Sequence, residues 1–551
     1  MKKDSNDTIT PVTRAGSLPG RRDFLGSAAL VGATGLFAGG HLEAAGTHTD
    51  NASGAKHREQ QAYQLRVEAA RHERDRPTVD HPTNGDEARY RTKFANYSKG
   101  LTHNALGEVD LPAWESLLHA IETGAPEDFE RIQVGGSARL VNPQAGLAFD
   151  MQGPDSHALA MRPAPRFDSA EQAAEIAENY WMALTRDISF VDYEGDWLVE
   201  VAASDLSRFS DLRAPKAAGG LVTPSLLFRG VTRGDVIGPY ISQFFWKETT
   251  FGAETIDRRM RTPAARANYM TSYSEWLAIQ CGAPARPASF DPMPRYIRNG
   301  RDLGEWVHID VLFQAYFEAL LVLFHIGAPV DANNPYRVSR NQIGFGTLGD
   351  PFIASVLCAV ATRALKAVWF QKWFVHRRLR PEMFAGRIHN HVSRNATYPI
   401  HREILGSSVL EQLFRQNGTY LLPMAFPEGS PFHPSYGAGH ATVAGACVTI
   451  LKAFFDETFV IPDPVEADGD GLRLHAYNGP PLTVGGELDK LASNVAIGRN
   501  IAGVHWRSDA TESLKLGEEI AIRFLQEEGG CLNESFAGFS LTRFDGRTVI
   551  V

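Results

Sequence analysis

Apolar residues recur three and four positions apart through most of the chain, and strict alternation is brief, so the pattern predicts helices. In PRFDSAEQAAEIAENYWMALTRD (165–187), Ala173, Ile176, Ala177, Tyr180, Trp181 and Leu184 mark one helical face. Ser169 and Gln172 offer a capping box at its start. Residues 352–374, 441–456 and 509–525 repeat the same period. The most apolar stretch, VLFQAYFEALLVLFHIG (311–327), carries Glu318 and His325 and predicts a buried core helix, not a membrane span. Residues 56–75 are polar all round and predict a helical arm. Only short runs such as WLVEVA (197–202) alternate like a strand. The expected fold is therefore all-α, built from helix bundles with few short strands.

Composition narrows the class. At 551 residues, with 43% hydrophobic and 22% charged residues, the chain reads as globular. A net charge of -9 argues against nucleic-acid partners, which require a basic face. Cys281, Cys358, Cys447 and Cys531 lie far apart, so a zinc ribbon is poorly supported and disulfides stay open. In GRRDFLGSAALVGATGLFAGG (20–40), Arg21–Arg22 stand before Phe24–Leu25 and a weakly apolar stretch too short to span a bilayer. That is the pattern of a twin-arginine export signal, placing the mature protein in the periplasm or outside the cell. The expected organisation is a signal over 1–45, a helical arm over 46–90 and a helical domain over 91–551. Its chemistry is expected in about 350–525, with no membrane span after signal removal.

Three late clusters carry candidate chemistry. In KWFVHRRLRPE (372–382), eight helical steps would leave Lys372 and Arg380 about 80° apart on one broad face, with the helix stopping near Pro381. Alone, this reads better as a solvated basic helix end. In HPSYGAGHA (433–441), a glycine-rich tip feeds an apolar helix whose free N–H groups suit an oxyanion, with His440 beside it for proton transfer. A tight turn before a core helix explains it as well. In GRNIAGVHWRSD (498–509), Gly503 lets the chain turn so that Arg499 and His505 face one site. Asp509, at i+4 from His505, is placed to fix the imidazole tautomer. Together, three cations, glycine N–H groups and two histidines fit a tetrahedral oxyanion such as phosphate or vanadate. A zinc site fits less well, because no HExxH or close carboxylate cluster accompanies the histidines.

In this order the three segments resemble the active-site motifs of vanadium-dependent haloperoxidases, whose oxyanion site is shared with type-2 phosphatidic acid phosphatases. The Lys372–Arg380 and His433–His440 spacings resemble the bromoperoxidase branch. NYSKGLTHNALGEV (96–109) and LVNPQAGLAFD (140–150) are similar to bacterial members, so the resemblance covers nearly all the chain after the signal. It implies a vanadate cofactor with His505 as axial vanadium ligand and Lys372, Arg380, Gly439 and Arg499 on the equatorial oxygens. It further implies that His440 is the acid–base, that His433 stands beside the halide, and that Lys372 polarises bound peroxide. The implied partners are hydrogen peroxide, a halide (bromide or iodide before chloride) and an organic acceptor. The implied assembly is a homo-oligomer, a dimer or larger.

One position departs from the family. Members usually carry a serine before the glycine of the second motif, and here it is Ala438. A hydrogen bond to a charged group is worth about 1.5–3 kcal/mol. Its uncompensated loss is expected to weaken vanadate binding roughly ten- to hundredfold. Two other readings use the same pocket: an acid phosphatase with His505 as nucleophile, and a non-catalytic oxyanion-binding protein.

Overall fold

The computed structural model describes residues 54–551, so the export pattern lies outside the described residues. The chain divides into two units, Met1–Gln64 and Leu65–Val551. Helix α1 (Ala55–Asp75) buries no residue, in keeping with its mostly polar sequence. The longer helices that follow are α2 (Leu111–Thr123), α3 (Ala170–Thr185), α4 (Trp197–Leu206), α5 (Gly300–Ile309) and α6 (Gln314–His325). After them come α7 (Asp350–Phe370), α8 (Pro381–Val392), α9 (Ser408–Asn417), α10 (Gly439–Phe454), α11 (Val484–Ile501) and α12 (Arg507–Gly530). Strands are confined, among the described residues, to three antiparallel pairs. These are Thr249–Phe251 with Glu254–Ile256, Val465–Ala467 with Leu474–Ala476, and Ser540–Thr542 with Thr548–Ile550. The fold is thus mostly helical.

The centre is α10, packed on α7, α11 and α12. Every residue of α10 is buried except His440 in its first turn. Helices α10 and α12 cross backbone to backbone. A Cβ at Gly445 would lie 2.1 Å from Leu514 O, and one at Gly517 would lie 2.0 Å from Thr442 O. That glycine contact draws the N-terminal ends of both helices together, and the second and third motifs sit at those ends.

The structure corrects several expectations. WLVEVA forms the start of α4, not a strand. The Asp196 side chain accepts from Leu198 and Val199 N–H, and Val199, Ala202, Ala203 and Leu206 form its buried face. Six residues of alternation are too few to separate the two periods. At α3 the box is half formed: Ser169 caps Gln172 N–H, but the Gln172 side chain accepts from Arg378 instead. All four cysteines are free within the chain. The stretch 311–327 is the expected core helix, α6, with Ala315, Tyr316, Ala319, Leu320, Val322 and Leu323 buried. Among the described residues, only Asp350–His376 is, unbroken, long and apolar enough to cross a membrane, and half of that window is buried inside the fold.

Candidate active site

Helix α7 does not continue to Arg380. It widens into a π-helical turn over Gln371–His376, and Arg377 takes a left-handed φ of 40°. Arg380 is extended (φ -84°, ψ 158°) and precedes α8, with Pro381 at its first position. Proline suits a helix start, because the missing N–H would have had no partner there. Lys372 and Arg380 therefore meet because the chain reverses between them, not because they share a helical face.

Both cations are fully buried. Lys372 Nζ donates to the carbonyls of Pro434 (2.8 Å) and Ser435 (3.1 Å) and stands 5.6 Å from the Trp369 ring centroid. Arg380 donates to Val504 O at 2.7 Å and to His433 O at 2.8 Å. It also donates to His505 Nε2 at 2.8 Å and His433 Nδ1 at 2.9 Å. From α11, Arg499 donates to Val307 O at 2.6 Å and lies 5.5 Å from the Phe426 ring. Its buried Nε–H has no acceptor. The second motif brings Gly439 as the first residue of α10, with Ala438 as an N-cap that has no side-chain acceptor. The first-turn N–H groups of α10 are therefore open to a ligand. Ala438 is buried and donates its own N–H to Ser513 Oγ at 2.8 Å.

Chain reversal at Gly503 (φ 86°) brings His505 to the same pocket. An arginine can only donate, so His505 Nε2 is an acceptor and Nδ1 carries the proton. That proton goes to Asp509 Oδ2 at 2.7 Å. Asp509 is the third residue of α12 and also accepts from Trp506 N–H at 3.2 Å, so helix capping and imidazole orientation share one carboxylate. His433 Nδ1 likewise accepts from Arg380; the carbonyl of Pro434 at 3.1 Å loses that competition to the charge-assisted bond. His440 alone reaches toward solvent, its side chain 22% exposed, with Nε2 2.9 Å from Asp310 Oδ1.

Electrostatics match this geometry. Burial, then Arg380, hold the Lys372 ammonium well below its ordinary range. Burial takes Arg380 and Arg499 to about 10. Burial and the neighbouring cations push His505 and His433 far down, so both are neutral at pH 7. The partners of these cations are carbonyls and imidazoles. A pocket of this kind lacks a counter-anion, and the idle Arg499 donor points to one. A metal oxyanion fits: its oxygens meet the cations and N–H groups, and a neutral imidazole with an unprotonated Nε2, engaged here only by Arg380, is the form that ligates metal.

The nine site residues singled out in the three motifs, from Lys372 to Asp509, thus lie around one pocket. Three neighbours carried no readable signal. Asp310 is 130 positions from its partner His440. Trp369 reads as one more apolar position on α7, yet its ring centroid lies 4.8 Å from that of His433. Arg378 reads as part of a solvated basic run but is buried.

Fold and pocket together define a helical-bundle protein with a cationic oxyanion site. A family model described as the VCPO second helical-bundle domain matches residues 410–532. The vanadium-dependent bromoperoxidase of Corallina pilulifera is 37% identical, over 89% of this chain and 97% of its own length. That of Ascophyllum nodosum is 36% identical, over 87% and 90%. The solved structure of a second, homohexameric vanadate-dependent bromoperoxidase from Ascophyllum nodosum superposes with a TM-score of 0.86 at 30% identity, covering 96% of this chain and 95% of that one. The chain belongs to the vanadium-dependent bromoperoxidase family, and is an enzyme with a vanadate cofactor.

Proposed function

We propose that the enzyme oxidises bromide and iodide in preference to chloride, using hydrogen peroxide, and releases hypohalous acid to organic acceptors. The observation that supports it most is the buried trio of cations around a neutral His505 whose unprotonated Nε2 faces Arg380. In this reading His505 Nε2 would ligate the vanadium. Lys372, Arg380, Arg499 and the Gly439 N–H would hold its oxygens, and Ala438 lies beside them without a hydroxyl. Bound vanadate supplies an electrophilic centre of fixed oxidation state at which peroxide is activated.

The chain's own groups do the rest. Converting halide and peroxide to hypohalous acid and water consumes one proton. His440, at the solvent-facing edge and oriented by Asp310, is the group placed to pass it in. Lys372 is fixed by two carbonyls and would direct its third N–H into the oxyanion pocket, where it adds positive charge. His433, braced by Arg380 and Trp369, forms the halide side. Lacking the hydroxyl at 438, the oxyanion is the weaker electrophile, which favours the more easily oxidised halides.

Vanadate-loaded enzyme should turn over iodide and bromide and leave chloride at least roughly tenfold slower. Ala438→Ser should tighten vanadate about tenfold, the worth of one charged hydrogen bond. Hydrolysis of p-nitrophenyl phosphate without any halide oxidation would instead establish the phosphatase reading.

The arginine pair at 21–22 supports export by the twin-arginine route to the periplasm or beyond. Replacing both with lysine should retain the chain in the cytoplasm, as cell fractionation would show. The homohexameric relative supports assembly as a homo-oligomer.

A further inference from the structure

Arg378 is buried in the first motif, yet it is not one of the pocket's cations. Its guanidinium donates in four directions: to Asp509 Oδ1 and Ser508 Oγ, both at 2.8 Å, to Gln172 Oε1 at 2.8 Å and to Glu175 Oε2 at 2.7 Å. Its Cζ lies over two aromatic rings, 4.8 Å from the Trp506 centroid and 5.8 Å from that of Tyr436. Its carbonyl accepts from Ser435 N–H at 3.0 Å. One residue of the first motif thus holds the second through its main chain and the third through its side chain, and anchors both on α3.

The two oxygens of Asp509 divide the work. Oδ1 takes Arg378, while Oδ2 takes the His505 Nδ1–H at 2.7 Å and the Ser435 hydroxyl. A carboxylate held on one side can turn only slightly, so the imidazole it accepts from is fixed in tautomer and in ring direction. Burial works against the Arg378 charge, but Glu175 and Asp509 more than offset it. The guanidinium therefore stays charged and keeps the pair ionic.

We propose that Arg378 is a positioning residue for the vanadium ligand, acting through Asp509 to aim His505 Nε2 into the oxyanion pocket. The proposal rests on the assignment of His505 as that ligand. Loss of such an outer support typically costs 10–100-fold in metal affinity. A lysine keeps the charge but not the planar fork.

Vanadate dissociation constants, measured by titration calorimetry on the full chain, test this in wild type, Arg378→Lys, Asp509→Asn and the double variant. Thermal unfolding serves as a fold control. The expected result is roughly tenfold weaker vanadate binding in each single variant and no further loss in the double, because both act through one bond. Arg378→Lys with wild-type affinity overturns the proposal, as does a loss that multiplies with that of Asp509→Asn. Should Arg378→Lys fail to fold, Glu175→Gln slackens the other branch of the fork. It carries the same expectation at smaller size and is overturned by the same outcomes. Wild type that binds no vanadate at all would count against the ligand assignment itself, an outcome separable from the others.

Discussion

His505→Ala is expected to abolish halide oxidation and to weaken vanadate retention by more than the 10–100-fold that removal of a supporting residue costs. The reasoning starts from what the ring does and does not hold in place. Its Nε2 accepts only from Arg380, and its Nδ1–H goes to Asp509. With the ring gone, Asp509 keeps Arg378, the Ser435 hydroxyl and the Trp506 N–H. Arg380 keeps the carbonyls of Val504 and His433. No buried charge is stranded, so the penalty usual for breaking a buried pair does not arise. The variant should melt close to wild type while failing to hold the metal. The cations remain, so phosphate should still bind with an affinity close to that for the wild-type enzyme. Calorimetric titrations with vanadate and with phosphate, set beside a melting curve, separate these effects. Unchanged vanadate affinity would remove His505 from the ligand position.

That contrast also explains which parts of the molecule were legible in the sequence. Helices such as α3, α7, α10 and α12 declare themselves because each buries one face against the bundle and carries the 3.6-residue period. WLVEVA misled because Asp196 decides its conformation, and a cap lies outside a six-residue alternation. The pocket residues were legible as three local clusters, each with its own spacing. The route by which Lys372 and Arg380 meet was not, since a π turn and a left-handed Arg377 leave no pattern of apolar positions. Asp310 and Arg378 were silent for different reasons. Asp310 reaches His440 only through tertiary packing of the loop between α5 and α6. Arg378 looks like its neighbours Arg377 and Arg380, and only Glu175, two hundred residues earlier, shows why it is buried.

The second large effect concerns His376, in the π turn just after Lys372. Burial, then Arg377, lower its pKa to about 3, and its buried Nε2 has no partner. Its ring stands edge-on to Tyr436, 4.8 Å between centroids, on the loop that carries the second motif. An unfolded chain takes up this proton near pH 6.5, while the folded one resists until about pH 3. Between those limits the unfolded state binds more protons, so stability falls as the pH falls. The slope is about 1.4 kcal/mol per pH unit for one group. His376→Phe keeps the edge-on ring and removes the proton site. Relative to wild type, its stability should therefore improve by about 2.3 kcal/mol on going from pH 6.5 to pH 4.5, because the slope reaches its full value only below the unfolded pKa. Several buried carboxylates titrate over the same range with the opposite sign, Asp235 and Asp302 at about 6 among them. They are common to both proteins and cancel in the difference. Urea unfolding of the pair at several pH values yields that difference directly. A constant gap between the two proteins would mean that His376 takes its proton at the same pH folded and unfolded, and that the second-motif loop rests on a ring exposed to water.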